Sequence, residues 1–146
     1  YVMILGDGQM LNQALLNIIK NAIESILTAK ENRLLNDDDK AGEIKIYIQC
    51  QQQEVCISIL DNGIGLPKNI KRLFEPYVTI RKEGTGLGLS IVKKIIEDHE
   101  GTLILQRSKP FDGFQHSGAE IKIMLPIIQP SNNLHLEKEG NALSGK

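Results

Sequence analysis

The sequence predicts an α/β two-layer sandwich, with helices on one face of a mixed, mostly antiparallel sheet. Three observations carry this expectation. Apolar residues recur at helical period over residues 8–29 and again from residue 87 or 88 to 99, whereas residues 44–50, 55–60, 102–106 and 119–125 read as strands. The strands come in sequence neighbours, as hairpins do, without the helical crossovers that parallel pairs need. With 146 residues, 41% of them apolar, the chain can enclose one core of ordinary size.

Residues 2–5 are a short apolar run, expected as an edge strand, and Asp7 is a good N-cap for the helix that follows. In that helix Leu11, Leu15, Ile18, Ala22 and Ile26 form one stripe, and Gln13, Asn17, Asn21, Glu24 and Thr28 form another. Apolar flanks on both sides of the two asparagines (Leu15, Leu16, Ile18, Ile19, Ala22, Ile23) predict a mostly buried helix. Residues 31–43 are polar and acidic, with Asp37, Asp38 and Asp39 in a row, and read as a solvated surface loop. Ile44, Ile46 and Ile48 alternate with Lys45, Tyr47 and Gln49, and three glutamines (51–53) close a hairpin to the next strand. That strand runs into Asp61-Asn62-Gly63-Ile64-Gly65. Residues 68–74 suit a short helix. Residues 73–83 are polar, broken by Pro76 and anchored by Phe74 and Tyr77, and read as a movable lid. Glu100-Gly101 ends the second helix, and Pro126 stops the last strand. Residues 1–126 are expected to form the domain and residues 127–146 a polar, disordered tail.

Bulk properties exclude several classes. The net charge of −1 leaves no basic field for nucleic acid or an anionic membrane surface. Aromatic residues are 4% of the chain and tryptophan is absent, which disfavours base-stacking surfaces. Cys50 and Cys56 lie on adjacent strands without histidines at metal spacing, and read as reduced packing residues. No apolar run reaches the roughly 18 residues of a membrane span, and no signal peptide is visible. The chain opens at Tyr1 in mid-pattern, as a piece of a longer protein would.

Chemistry is concentrated in three stretches. Gly84-Thr85-Gly86-Leu87-Gly88-Leu89 runs directly into a helix, whose free N–H groups and positive dipole end suit a phosphate. Asn17 and Asn21 stand one turn apart; an amide oxygen is a hard ligand suited to Mg²⁺, and a solvated helix face is the other reading. Asp61 ends a strand beside Gly63 and Gly65. That is turn chemistry, or a carboxylate placed to accept from an exocyclic amine while a flat ring slides against backbone. The lysine-containing phosphate loop G-x-x-x-x-G-K-[ST] is absent. The dinucleotide fingerprint fails because Leu89 occupies its third glycine position.

Together, Asn17-x-x-x-Asn21-Ala22, Asp61-x-Gly63-x-Gly65, Phe74-Glu75-Pro76 and Gly84-x-Gly86-x-Gly88 resemble the N, G1, F and G2 boxes of sensor histidine kinase catalytic domains. These have the GHKL or Bergerat fold, and the resemblance covers residues 1–126. The stretches 75–79 and 93–99 are most similar to NtrY-like nitrogen-regulation kinases. The resemblance implies ATP and Mg²⁺ as cofactors. Asp61 would accept from the adenine amine, with Gly63 and Gly65 letting the ring approach. Asn21 would bind Mg²⁺, with Asn17 beside it. Gly84, Thr85, Gly86, Leu87, Gly88 and Leu89 would surround the phosphates, and Phe74 would anchor the lid. Lys20, Arg81 and Lys82 would reach phosphate or serve as solubilising charges. ATP-hydrolysing relatives carry a glutamate base where Asn17 stands. An amide cannot take a proton from water at neutral pH, so transfer to a protein nucleophile is favoured over hydrolysis.

The sequence departs from the family pattern at Glu24, where many members have lysine. It departs again at Ala119, where many have threonine, and at Glu100 in place of glycine. His99, His116 and His135 lack the context of a phosphoacceptor. The expected partners are therefore an upstream dimerisation and phosphoacceptor helix domain, a response regulator and a second copy of the parent protein. The parent is expected to be membrane-anchored with this domain in the cytoplasm. A GHKL ATPase or protein-serine kinase, and a degenerate interaction module, are the competing readings.

Overall fold

The structure is a computed structural model and describes residues 2–32, 34–35, 42–51, 53–76 and 88–128. Its elements follow the order α1 (Gly8–Glu31), β1 (Ile44–Cys50), β2 (Glu54–Asp61), a 3₁₀ turn (Ile70–Phe74), α2 (Gly88–Asp98), β3 (Thr102–Arg107) and β4 (Ala119–Pro126). The four strands form one sheet in the order β1-β2-β4-β3, and every described pairing is antiparallel. Most of the expected lid and the glycine-rich stretch ahead of Gly88 (residues 77–87), the acidic run at 36–41 and residues 129–146 lie outside the described residues.

Both helices pack on one face of the sheet. The core between the layers joins Ala14 and Ile18 of α1 and Val92, Ile95 and Ile96 of α2 to Val55 and Ile59 of β2 and Ile121, Ile123 and Leu125 of β4. Alternation does this work: each second residue of β4 is buried and its neighbours are not. Ile26, Ala29 and Leu35 form a smaller cluster near the C-terminal end of α1.

Asp7 caps α1 as expected, its Oδ1 accepting from Gln9 N–H at 2.8 Å and Met10 N–H at 3.1 Å. The buried stripe is rotated from the expected one. Ala14, Ile18, Ala22, Ser25, Ile26 and Ala29 face the core, and Leu11 and Leu15 are half-buried. The helix is not buried all round either. Leu16, Ile23 and Leu27 are 57%, 47% and 53% exposed, because they sit opposite the sheet on the solvent side.

Residues 2–5 do not form a strand. Ile128 N–H donates to Met3 O at 2.8 Å, but no ladder follows among the described residues, and Met3 and Leu5 stay exposed. Cys50 and Cys56 are free thiols. Gln49 faces Cys56 in the register, and Cys50 lies on the opposite face of the hairpin, so the two cannot bridge. Helix α2 ends with Glu100 at φ 57° and with Gly101 N–H donating to Ile96 O at 2.9 Å. The left-handed position therefore falls on Glu100, with glycine one residue later.

His99 is more than a helix-end residue. Its Nε2 accepts from Asp7 N–H at 2.9 Å, and its Nδ1 is 2.6 Å from Ile95 O, so Nδ1 carries the proton. One ring thus ties the end of α2 to the start of α1.

Candidate functional site

One end of the sandwich gathers the chemistry-bearing residues. Strand β2 delivers Asp61 as its last residue, directly beside the start of β4. Asp61 is 6% exposed. Its Oδ1 accepts from Gly63 N–H at 2.9 Å and from the Ser25 hydroxyl at 3.1 Å. Burial pushes the Asp61 carboxyl above its ordinary value, and the hydrogen bonds from Gly63 N–H, the Ser25 hydroxyl and Ala119 N–H pull it back down.

Glycine is required at three backbone positions here, Gly63, Gly65 and Gly118. Gly65 sits at φ 73°, and a side chain would also press on the Ser117 carbonyl oxygen, 2.6 Å from the Cβ position. A Cβ at Gly118 would run into the Asp61 carbonyl oxygen, so β4 can start this close to the end of β2 only without a side chain. The turn is held from other sides as well. Asn62 is 1% exposed; its Oδ1 accepts from Glu43 N–H at 2.8 Å, and His116 Nε2 donates to its carbonyl at 3.0 Å. Ile64 N–H donates to Ser25 O at 3.3 Å, and Arg107 donates to Leu66 O at 2.8 Å.

Helix α1 lines the same end with a half-buried polar face that includes Asn17 and Asn21. Asn21 approaches the first residue of α2: a Cβ on Gly88 would stand 3.7 Å from its Nδ2 and 3.8 Å from its Oδ1. Asn21, Asp61, Gly63, Gly65 and Gly88 are thus brought to one end of the domain, with Asn17 one turn back along α1. Lys20 is exposed on the outer side and lies 3.9 Å from Glu24. Phe74 packs toward α2, where Lys93 Nζ lies 5.6 Å from its ring centroid. Leu89 is half-buried in the first turn of α2. Lys82, Gly84, Thr85, Gly86 and Leu87 lie outside the described residues.

Three contributors are not among the residues expected from sequence: Ser25, Gly118 and the Ala119 N–H. Ser25 has a legible signal, since it continues the i, i+4 series from Asn17 and Asn21. Gly118 and Ala119 act through backbone, which side-chain chemistry cannot reveal. Among the described residues no three His, Cys, Asp or Glu side chains cluster closely enough to hold a metal ion.

The chain belongs to the histidine kinase-, DNA gyrase B- and HSP90-like ATPase family, whose model matches residues 6–129. It is 41% identical over 125 residues to nitrogen regulation protein NtrY of Azorhizobium caulinodans, covering 85% of this chain and 15% of that protein. It is 35% identical over 130 residues to sporulation kinase B of Bacillus subtilis, covering 88% and 26%. Among solved structures, the mycobacterial sensor histidine kinase MprB superposes with a TM-score of 0.70 at 26% identity, covering 86% of this chain and 78% of that one. Full-length ShkA in complex with AMPPNP superposes with a TM-score of 0.64 at 26% identity, covering 87% and 23%. The chain thus spans 15% and 26% of the length of the two curated relatives.

Proposed function

We propose that this chain is the ATP-binding catalytic domain of a sensor histidine kinase. The observation that carries the reading is Asp61: a buried carboxylate with one oxygen saturated by protein donors, set beside a glycine turn. In this reading its other oxygen accepts from the adenine 6-amino group, and Gly63 and Gly65 let the turn pack against α1 and Ser117 so that the ring can approach the backbone. Asn21 would hold Mg²⁺, with Asn17 nearby. With no carboxylate cluster among the described residues, the ion would be held mainly by phosphate oxygens, water and amide oxygen, as Mg²⁺ commonly is. Bound there, it would supply charge neutralisation at the phosphates. The first N–H groups of α2, at Gly88 and Leu89, would face the phosphates, and the glycine-rich sequence 84–87 ahead of them suits the same role. Lys20 and Lys82 would add positive charge, and Phe74, packed toward α2, would be the anchor of the lid expected from sequence.

The reaction follows from the residue type at position 17. Asn17 offers no base to activate water. The domain therefore positions the γ-phosphoryl group for a nucleophile that arrives on another domain. A histidine nitrogen forms the new N–P bond, the bond to the β,γ-bridging oxygen breaks, and ADP leaves. The acceptor lies on a dimerisation helix domain of the parent homodimer, and a response regulator takes the phosphoryl group next. No described helix is long and apolar enough to cross a membrane. The domain is assigned to the cytoplasmic side of a membrane-anchored parent, where ATP is available.

The test is labelling of the full-length parent protein with γ-labelled ATP. The expected product is a phosphoprotein stable to base and labile to acid. Acid-stable phosphoserine, or free phosphate released without protein labelling, would overturn the assignment.

A further inference from the structure

The geometry points to Ser25 as a positioning residue that keeps Asp61 a pure hydrogen-bond acceptor and so sets the preference of this site for a 6-amino over a 6-oxo purine. The inference rests on the adenine-site reading above and extends it to base selectivity.

A serine in mid-helix ordinarily turns its hydroxyl back to the carbonyl four residues earlier. Thr28, one turn away, does this, donating to Glu24 O at 2.9 Å. Ser25 does not. It is 9% exposed, and its hydroxyl leaves the helix to donate to Asp61 Oδ1 at 3.1 Å. Its carbonyl meanwhile accepts from Ile64 N–H at 3.3 Å, so one residue grips the Asp61 turn at two points. Gly63 is packed against the same residue: Ser25 Oγ is the atom nearest to where its Cβ would be. The sheet side offers no hydroxyl, because Ala119 occupies the position facing Asp61 and contributes only its N–H.

The chemical consequence is specific. A hydroxyl that donates to Oδ1 requires that oxygen to be an acceptor, and Gly63 N–H imposes the same demand. Both donors favour the ionised form of Asp61, against burial, which favours the neutral one. An ionised carboxylate attracts the amine of adenine and repels the carbonyl oxygen of hypoxanthine. A protonated one could donate to that oxygen and would accept both bases. Other ionisable groups on the surrounding elements are occupied elsewhere. Glu24 of α1 is 3.9 Å from Lys20, and Glu43 before β1 is 3.5 Å from Lys45. His116 bonds Asn62 O, and Glu120 of β4 accepts from Gln106 at 2.6 Å. None supplies a positive charge that could replace the Ser25 donor.

The experiment is calorimetric titration of the unmutated chain, Ser25→Ala and Ser25→Cys with non-hydrolysable ATP and inosine triphosphate analogues, in Mg²⁺, from pH 5 to 8. Alanine favours the helix, and cysteine keeps the volume while offering only a weak donor. In Ser25→Ala, ATP affinity falls about tenfold, the order of one hydrogen bond to a charged acceptor. Inosine triphosphate affinity does not fall with it, so the ratio between the two narrows. The acid limb of ATP binding moves to higher pH, because a donor favouring the ionised form has been lost. Ser25→Cys falls between. Equal weakening of both nucleotides with an unmoved acid limb, in either variant, would show a packing role only and overturn the inference. If the unmutated chain bound neither nucleotide, the adenine-site reading itself would fail, a distinguishable outcome.

Discussion

Replacing Asp61 by asparagine separates what this residue does for binding from what it costs the fold. The carboxyl is almost fully enclosed, and Oδ1 is already used by Ser25 and Gly63. What remains for a ligand is one charged oxygen in a site of low polarity. A hydrogen bond to such a group is worth about 1.5–3 kcal/mol, so Asp61→Asn should weaken ATP about ten- to a hundredfold. An amide also presents a donor to the adenine amine, which pushes the loss toward the upper end. Stability should move the other way. Burial raises the Asp61 pKa in the folded state, so the native state holds this proton more tightly than the unfolded chain. The contribution of such a group is fully present below the ordinary carboxylate value and is lost as pH rises through the folded value. Melting temperatures of the unliganded variant and unmutated chain should therefore diverge in favour of the variant as pH rises from about 4 to 7. Calorimetry supplies the first quantity and thermal melts the second. Unchanged ATP affinity in Asp61→Asn would refute the assignment of this carboxylate to the base. A melting difference that shrinks as pH rises would refute the account of its burial.

Three further outcomes follow from local geometry. Glu100→Gly relieves a non-glycine residue at φ 57° and should stabilise the chain by about 1 kcal/mol, seen as a rise of roughly 2–5 °C in melting temperature. Asp7→Ala removes the acceptor for two N–H groups at the start of α1 and should cost about 1 kcal/mol in denaturant melts. Gly118→Ala drives a methyl group into the Asp61 carbonyl and should part the ends of β2 and β4; we expect a loss of about 2–4 kcal/mol together with nucleotide binding, read by melts and titration.

Much of the domain is legible in the amino-acid sequence, for physical reasons that differ by element. Strand β4 alternates cleanly because one sheet face is covered by helices and the other is not, whereas β1 alternates in sequence yet leaves Ile46 and Ile48 exposed at the sheet edge. Both helices and the Asp7 cap are local features, set within a few turns of chain. The glycines beside Asp61 are legible because a tight turn leaves few residue types open at those places. The apolar run at 2–5 misleads because apolar composition alone does not make a strand; it needs a continuous backbone partner, and among the described residues Ile128 alone supplies a bond. Burial around α1 is misjudged from sequence because Leu16 and Ile23 are as apolar as Ile18, and nothing local says which side meets the sheet.

The sequence by itself therefore determined the order of the two helices and four strands that form, the glycine turn after β2 and the side-chain chemistry of Asn17, Asn21 and Asp61, since these depend on residue type and short-range spacing. Only the tertiary structure decided that the Ser25 hydroxyl leaves its own helix for Asp61, that Gly118 lets two strand ends touch, and that His99 joins the end of α2 to the start of α1. Each of these contacts spans from 36 to 92 positions of chain, and such distances close only when the hydrophobic layers between sheet and helices pack.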